Sequence, residues 1–136
     1  GEYEPIAKVT GILEPDDNFD FDLMVLKTDV SVTEMTDRIV KVADTPMKVG
    51  DVVSVIGCPY ESEGCTGSPY FGRVIDLEGY ETMIAFDWIS GPPTVSGFSG
   101  AAVLNQAGEV AAVVLGGNEE TGIATPVPDW LKEAAN

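Results

Sequence analysis

The feature that most constrains the fold is how short the apolar runs are. Ile6–Leu13, Asp22–Lys27, Arg38–Val42, Asp51–Ile56, Tyr70–Leu77, Thr82–Trp88, Ala101–Leu104, Glu109–Leu115 and Gly122–Thr125 each span only four to eight residues. Gly, Pro, Asn or Asp punctuates the gaps between them. Helices need longer stretches with a 3.6-residue period, whereas runs of this length, rich in Val and Ile and bounded by turn formers, read as strands. Short strands at this spacing predict an antiparallel barrel or sandwich. Only the tail departs from the pattern. Pro126–Ala135 carries Pro128 where a first helical turn tolerates it, followed by good helix formers, which predicts a short C-terminal helix packing Trp130 and Leu131 on the sheet. With no internal repeat and no low-complexity linker, 136 residues make one mostly-β unit.

Charge and residue counts narrow the chemistry. The 23 acidic against 7 basic residues give a net charge of −16, a surface that repels nucleic-acid phosphates and anionic lipid headgroups. Its plainest meaning is solubility or life in high salt. No apolar run approaches a membrane span and no charged-then-apolar leader opens the chain, so a soluble protein is expected. Histidine is absent, so a base of the imidazole type must come from another chain, and a metal site would have to use carboxylates. The run Asp16-Asp17-Asn18 with Asp20 and Asp22 is oxygen-rich, but it lacks the glycine and the bidentate glutamate of a calcium loop and reads as a solvated acidic turn. No metal or cofactor is expected. Cys58 and Cys65 are seven residues apart around a Gly- and Pro-containing loop; a local disulfide and a free thiol pair both fit, and the redox compartment stays open.

The stretch most charged with chemistry is Gly97-Phe-Ser-Gly100, followed at once by the strand Ala101-Ala-Val-Leu-Asn105 and the turn Gln106-Ala-Gly108. A serine between two glycines on a tight turn is what a nucleophile needs. The glycine before it lets the N–H groups of Gly97 and Ser99 converge as an oxyanion hole, and the glycine after it clears a path for a substrate carbonyl. By itself the motif is weak, because such turns are common without chemistry.

Its surroundings resemble trypsin-like serine proteases, and within them the bacterial HtrA/DegP-type branch without its PDZ domains. Ala43–Pro59 looks like the strand and turn that open the family's second barrel, and Phe71-Gly-Arg-Val-Ile75 like the strand after it. Ile84-Ala-Phe-Asp87 resembles the strand before the nucleophile loop, Gly108–Val114 the strand behind it, and Gly122-Ile-Ala-Thr-Pro126 the closing strand. The pieces come in family order over roughly residues 5–133. The resemblance implies Ser99 as nucleophile, the Gly97 and Ser99 N–H groups as oxyanion hole, and Asp22 as the aspartate that orients the triad histidine and stabilises its cation. It implies Leu115, Gly116 and Gly117 as the edge on which a substrate strand pairs. The position six before the serine is Pro93, where no acid sits to bind Lys or Arg, so a small or apolar substrate residue is expected there.

Two departures from the family stand out. Asp87 and Ser99 are 12 residues apart, about four more than usual in this branch, which unsettles the assignment of Pro93. More severely, the triad histidine should precede Asp22 in sequence, and only about twenty residues do, none of them histidine. The resemblance therefore divides the chain into 1–30, the end of a first barrel carrying the aspartate; 31–42, an inter-barrel connection; and 43–136, a second six-stranded barrel with the nucleophile loop and C-terminal helix. Without a base the Ser99 hydroxyl is far too weakly acidic to attack a peptide. Two functions follow. The chain is the C-terminal part of a serine endopeptidase whose histidine lies on an N-terminal first-barrel chain, with peptides or proteins as substrates and no nucleic acid or membrane span involved. Alternatively, it is a catalytically inactive protease-fold module that binds rather than cuts.

Overall fold

The computed structural model describes residues 7–13, 25–31, 40–57, 69–80, 83–92, 95–128 and 131. Eight strands follow in order: β1 (Val9–Leu13), β2 (Val25–Thr28), β3 (Val52–Ile56), β4 (Tyr70–Tyr80), β5 (Met83–Ser90), β6 (Ala102–Leu104), β7 (Val110–Gly117) and β8 (Thr121–Pro126). The predicted runs and the observed strands coincide to within a few residues from β3 onward. Arg38–Val42 differs: in its described part the chain makes only a single parallel bridge, Val42 to Val110. Its backbone continues that contact, since the Val110 N–H donates to Lys41 O and the Ala43 N–H donates to Val110 O. Of the expected C-terminal helix, the described residue is Leu131, whose N–H reaches Pro128 O at 3.1 Å; Trp130 and the rest of the tail lie outside the described residues.

β1 and β2 form a two-stranded antiparallel ribbon, with a register shift between Val9 and Gly11. Its open end is closed by Asp29, whose N–H donates to Lys8 O while its Oδ1 accepts the Lys8 N–H at 2.9 Å. The other six strands close an antiparallel barrel in the order β3-β4-β5-β8-β7-β6, with β6 returning to β3. Closure gives every barrel strand a partner on both sides, where an open sheet of the same strands would leave two edge strands exposed.

Alternation decides which side chains enter the barrel. Val53 and Val55 of β3, Val74 of β4, Ile84 and Phe86 of β5, Val103 of β6, Ala112 and Val114 of β7 and Ala124 of β8 form one buried cluster. Their neighbours in β4, Phe71, Arg73 and Ile75, point out and are exposed. Phe86 and Phe98 are the largest fully buried side chains, and the strands flanking β5 make room for Phe86 with glycine. A Cβ at Gly72 would lie 2.6 Å from the Phe86 ring, and one at Gly122, directly opposite Phe86 on β8, would collide with it. The barrel interior is therefore filled by Val, Ile and Ala around Phe86, with Phe98 joining the same cluster from the turn before β6, a filling suited to a small closed barrel.

Candidate active site

Antiparallel pairing brings six chain ends to the same end of the barrel. Ile56 pairs with Ala102, Ala102 with Val113, Asp87 with Thr121, and Gly117 with Gly122. The exit of β3, the start of β4, the exit of β5, the turn entering β6, the exit of β7 and the start of β8 therefore share one rim. The turn Val95–Ala101 lies on it.

That turn is held by its backbone and by one side chain. The Phe98 N–H donates to Val95 O at 3.1 Å and the Ala101 N–H to Phe98 O at 2.8 Å. The Gly100 N–H donates to Val114 O at 2.8 Å, and the Val114 N–H returns to Ala101 O at 2.9 Å, stitching the turn to β7. Gly97 (φ 96°) and Gly100 (φ 89°) both adopt left-handed backbone, which side chains disfavour. Phe98 is 1% exposed, and its ring meets Tyr70 edge-on at 5.5 Å and Trp88 at 6.2 Å. It presses so closely on the exit of β3 that a Cβ at Gly57 would come 2.5 Å from the ring. With Phe98 driven inward, the next residue, Ser99, faces out and is exposed.

The Ser99 hydroxyl donates to the Leu115 carbonyl at 3.0 Å. A carbonyl oxygen accepts the hydrogen bond but does not take the proton, so this partner orients the hydroxyl without activating it. Among the described residues, the N–H groups of Gly97 and Ser99 have no backbone acceptor.

Leu115, Gly116 and Gly117 form the last part of β7, beyond the point where β6 begins opposite Val113. One edge pairs with β8 through Gly116–Ile123 and Gly117–Gly122, after a register shift between Val114 and Gly116. Leu115, whose carbonyl accepts the Ser99 hydroxyl, lies within that shift. The segment is thus strand, and the reversal comes after it at Asn118–Glu120. There the Asn118 Oδ1 accepts the N–H groups of Glu120 and Thr121 at 2.8 and 2.9 Å.

The structure thus places Ser99, Gly97, Leu115, Gly116 and Gly117 on one rim. Asp22, Pro93, Cys58, Cys65 and the acidic run from Asp16 to Asp20 lie outside the described residues. No cluster of three His, Cys, Asp or Glu suited to a metal ion occurs among the described residues, and no helix there is long and apolar enough to cross a membrane. Sequence reasoning passed over Phe98 and Trp88. An aromatic residue inside a glycine-serine turn is itself the signal, because such a turn buries a large ring only if the ring is its anchor.

None of the curated proteins compared matches the chain. The profile of the trypsin-like peptidase domain matches residues 4–113, a span that takes in both the Ser99 turn and most of the barrel. With that match over most of its length, and with a closed six-stranded antiparallel barrel presenting the serine turn at its rim, the chain belongs to the trypsin-like peptidase domain family.

Proposed function

We propose that this chain supplies the nucleophile half of a serine endopeptidase of HtrA-like type, and that the base comes from a histidine outside these residues. The observation that carries the proposal is the Ser99 turn: an exposed serine between two left-handed glycines, beside two N–H groups without a backbone acceptor among the described residues. In the reaction, the histidine takes the Ser99 proton as Oγ attacks the substrate carbonyl carbon, and Asp22 holds that imidazole and stabilises its cation. The Gly97 and Ser99 N–H groups receive the oxyanion. Collapse then expels the amine, which takes the proton from the imidazolium, and water hydrolyses the acyl-enzyme by the reverse steps. The substrate backbone pairs along Leu115–Gly117, with Pro93 beside the pocket.

The β1–β2 ribbon supports a partner segment. Val9, Ile12 and Leu26 are about half exposed on it (53%, 46% and 51%), more apolar surface than a two-stranded ribbon keeps in water without cover. The remaining strands of a first barrel, carrying the histidine, would cover it.

A second reading, an inactive binding module of the same fold, is favoured by the Ser99–Leu115 bond, which ties the hydroxyl to a non-basic group in a chain without histidine. Labelling with a fluorophosphonate separates the two. The protein is taken from its native source, and intact mass establishes whether a histidine-bearing segment accompanies it. Covalent label on Ser99, abolished by Ser99→Ala, is the expected result. No label in material that contains the histidine-bearing segment overturns the enzymatic reading and leaves the binding module.

A further inference from the structure

A peptide paired along the edge of Leu115–Gly117 that β6 leaves uncovered, with its carbonyl at Ser99, sends the side chain of that same residue between the edge and the Ser99 turn. Trp88 bridges these two elements.

Trp88 is the third inward residue of β5, after Ile84 and Phe86, and it sits where the strand leaves the barrel. Its indole N–H donates to Asn118 O at 3.1 Å, one residue beyond Gly117. Its backbone N–H donates to Glu120 O at 2.9 Å in the same turn. On the other side the ring lies 6.2 Å from Phe98, the residue before Ser99, and behind it 5.0 Å from Phe86 at 85°. Chain exit passes directly over the side chain, since a Cβ at Gly91 would lie 2.9 Å from the Trp88 Cβ. The indole is thus tied by a hydrogen bond to one wall, packed edge-on against the other and backed by the core. It remains only partly buried, so one edge still faces the opening.

We infer that Trp88 is the floor of the pocket beside Ser99 and limits the substrate to small side chains, of the size of glycine, alanine or serine, at the residue whose carbonyl is attacked. This rests on the reading of Ser99 as nucleophile. An indole fixed by one hydrogen bond and two aromatic contacts, on a backbone itself bonded to Glu120, does not swing aside for a larger group, and displacing it would leave the indole N–H without its acceptor. Aromatic and long aliphatic residues are excluded by volume, and the floor offers no charge for Lys or Arg.

The test uses peptide boronic acids, which need no turnover. The Ser99 oxygen bonds to trigonal boron, its proton passes to the buffer, and boron becomes a tetrahedral anion. Two probes share one peptide and differ at the boron-bearing residue, one alanine-like and one phenylalanine-like. Dissociation constants are measured in the presence of the histidine-bearing segment on the unsubstituted chain, on Ser99→Ala, and on Trp88→Ala and Trp88→Leu, the leucine keeping much of the packing should the alanine variant fail to fold. The expected result is at least about 10-fold preference of the unsubstituted chain for the alanine-like probe, the scale on which a pocket discriminates by volume. Both Trp88 variants should lose or reverse it. Equal or tighter binding of the phenylalanine-like probe to the unsubstituted chain, abolished in Ser99→Ala, overturns the role of Trp88 while Ser99 stands. A preference unchanged in Trp88→Leu does the same. Failure of both probes to bind with any dependence on Ser99, in material that contains the histidine-bearing segment, overturns the reading of Ser99 and the pocket with it.

Discussion

Phe98→Ala separates a buried anchor from a decorative aromatic at the tip of a turn. The ring is 1% exposed and touches Tyr70 and Trp88 edge-on. Truncating a buried Phe costs about 3–5 kcal/mol, and two lost aromatic contacts place this site in the upper part of that range. In a domain of ordinary stability, about 5–15 kcal/mol, that is a large fraction of the total and lowers Tm by roughly 10–20 °C. Gly57 makes the test specific. A methyl group there meets the ring at 2.5 Å, so Gly57→Ala alone overpacks the site and costs about 1–3 kcal/mol. In the Phe98→Ala background the same methyl enters vacated space and costs little. The double variant is therefore less destabilised than the sum of the singles by about 1–3 kcal/mol, a coupling well above the scatter between independent sites. Urea titration of the four proteins, followed by circular dichroism, measures it. Additivity within about 0.5 kcal/mol, or a loss below about 1 kcal/mol for Phe98→Ala, would refute the placement of the ring.

The reversal after Leu115–Gly117 depends on one side chain. Asn118→Ala removes the acceptor for two N–H groups, at 2.8 and 2.9 Å, and should cost about 1–2 kcal/mol in equilibrium unfolding, while Asn118→Asp, which keeps the oxygen, should change stability by less than half of that. Equal losses in the two variants would show that the side-chain oxygen does not hold the turn. Net charge makes a second prediction. With −16 spread over a small domain, raising NaCl from ~10 mM to ~1 M shortens the screening length from ~30 Å to ~3 Å and should raise Tm, while an uncharged solute of equal osmolality should raise it less. A Tm that is flat or falls with salt would show that self-repulsion is not a significant destabilising force.

The barrel strands were legible because their signals are local. Val52–Ile56 alternates inward and outward residues, Val110–Leu115 is apolar between Asn105-Gln-Ala-Gly108 and Gly116-Gly117, and each ends at residues that favour turns. The β6–β7 turn was readable for the same reason: the Asn105 Oδ1 accepts the N–H groups of Ala107 and Glu109, a contact four residues or fewer along the chain. Arg38–Val42 read as a strand on the same local grounds; its described part, 40–42, meets the barrel through a parallel bridge from Val42 to Val110, a partner that propensity does not choose.

The rim was legible only in part. The serine and its glycines identify themselves within four residues, Gly97 to Gly100, because the left-handed backbone they adopt is a property of glycine wherever it stands. What surrounds them is not local. Leu115 reaches Ser99 from 16 residues away, and Trp88 reaches Asn118 from 30, through registers that exist only once β6 has closed on β3 and β8 has inserted between β5 and β7. The chain's own residues thus determined short strands, tight turns, a heavily acidic surface and a serine poised on a bend. Tertiary structure alone decided that Phe98 points inward, that Ser99 meets a carbonyl and not a base, and that the Trp88 indole joins Phe98 to Asn118, because those outcomes depend on which strands become neighbours.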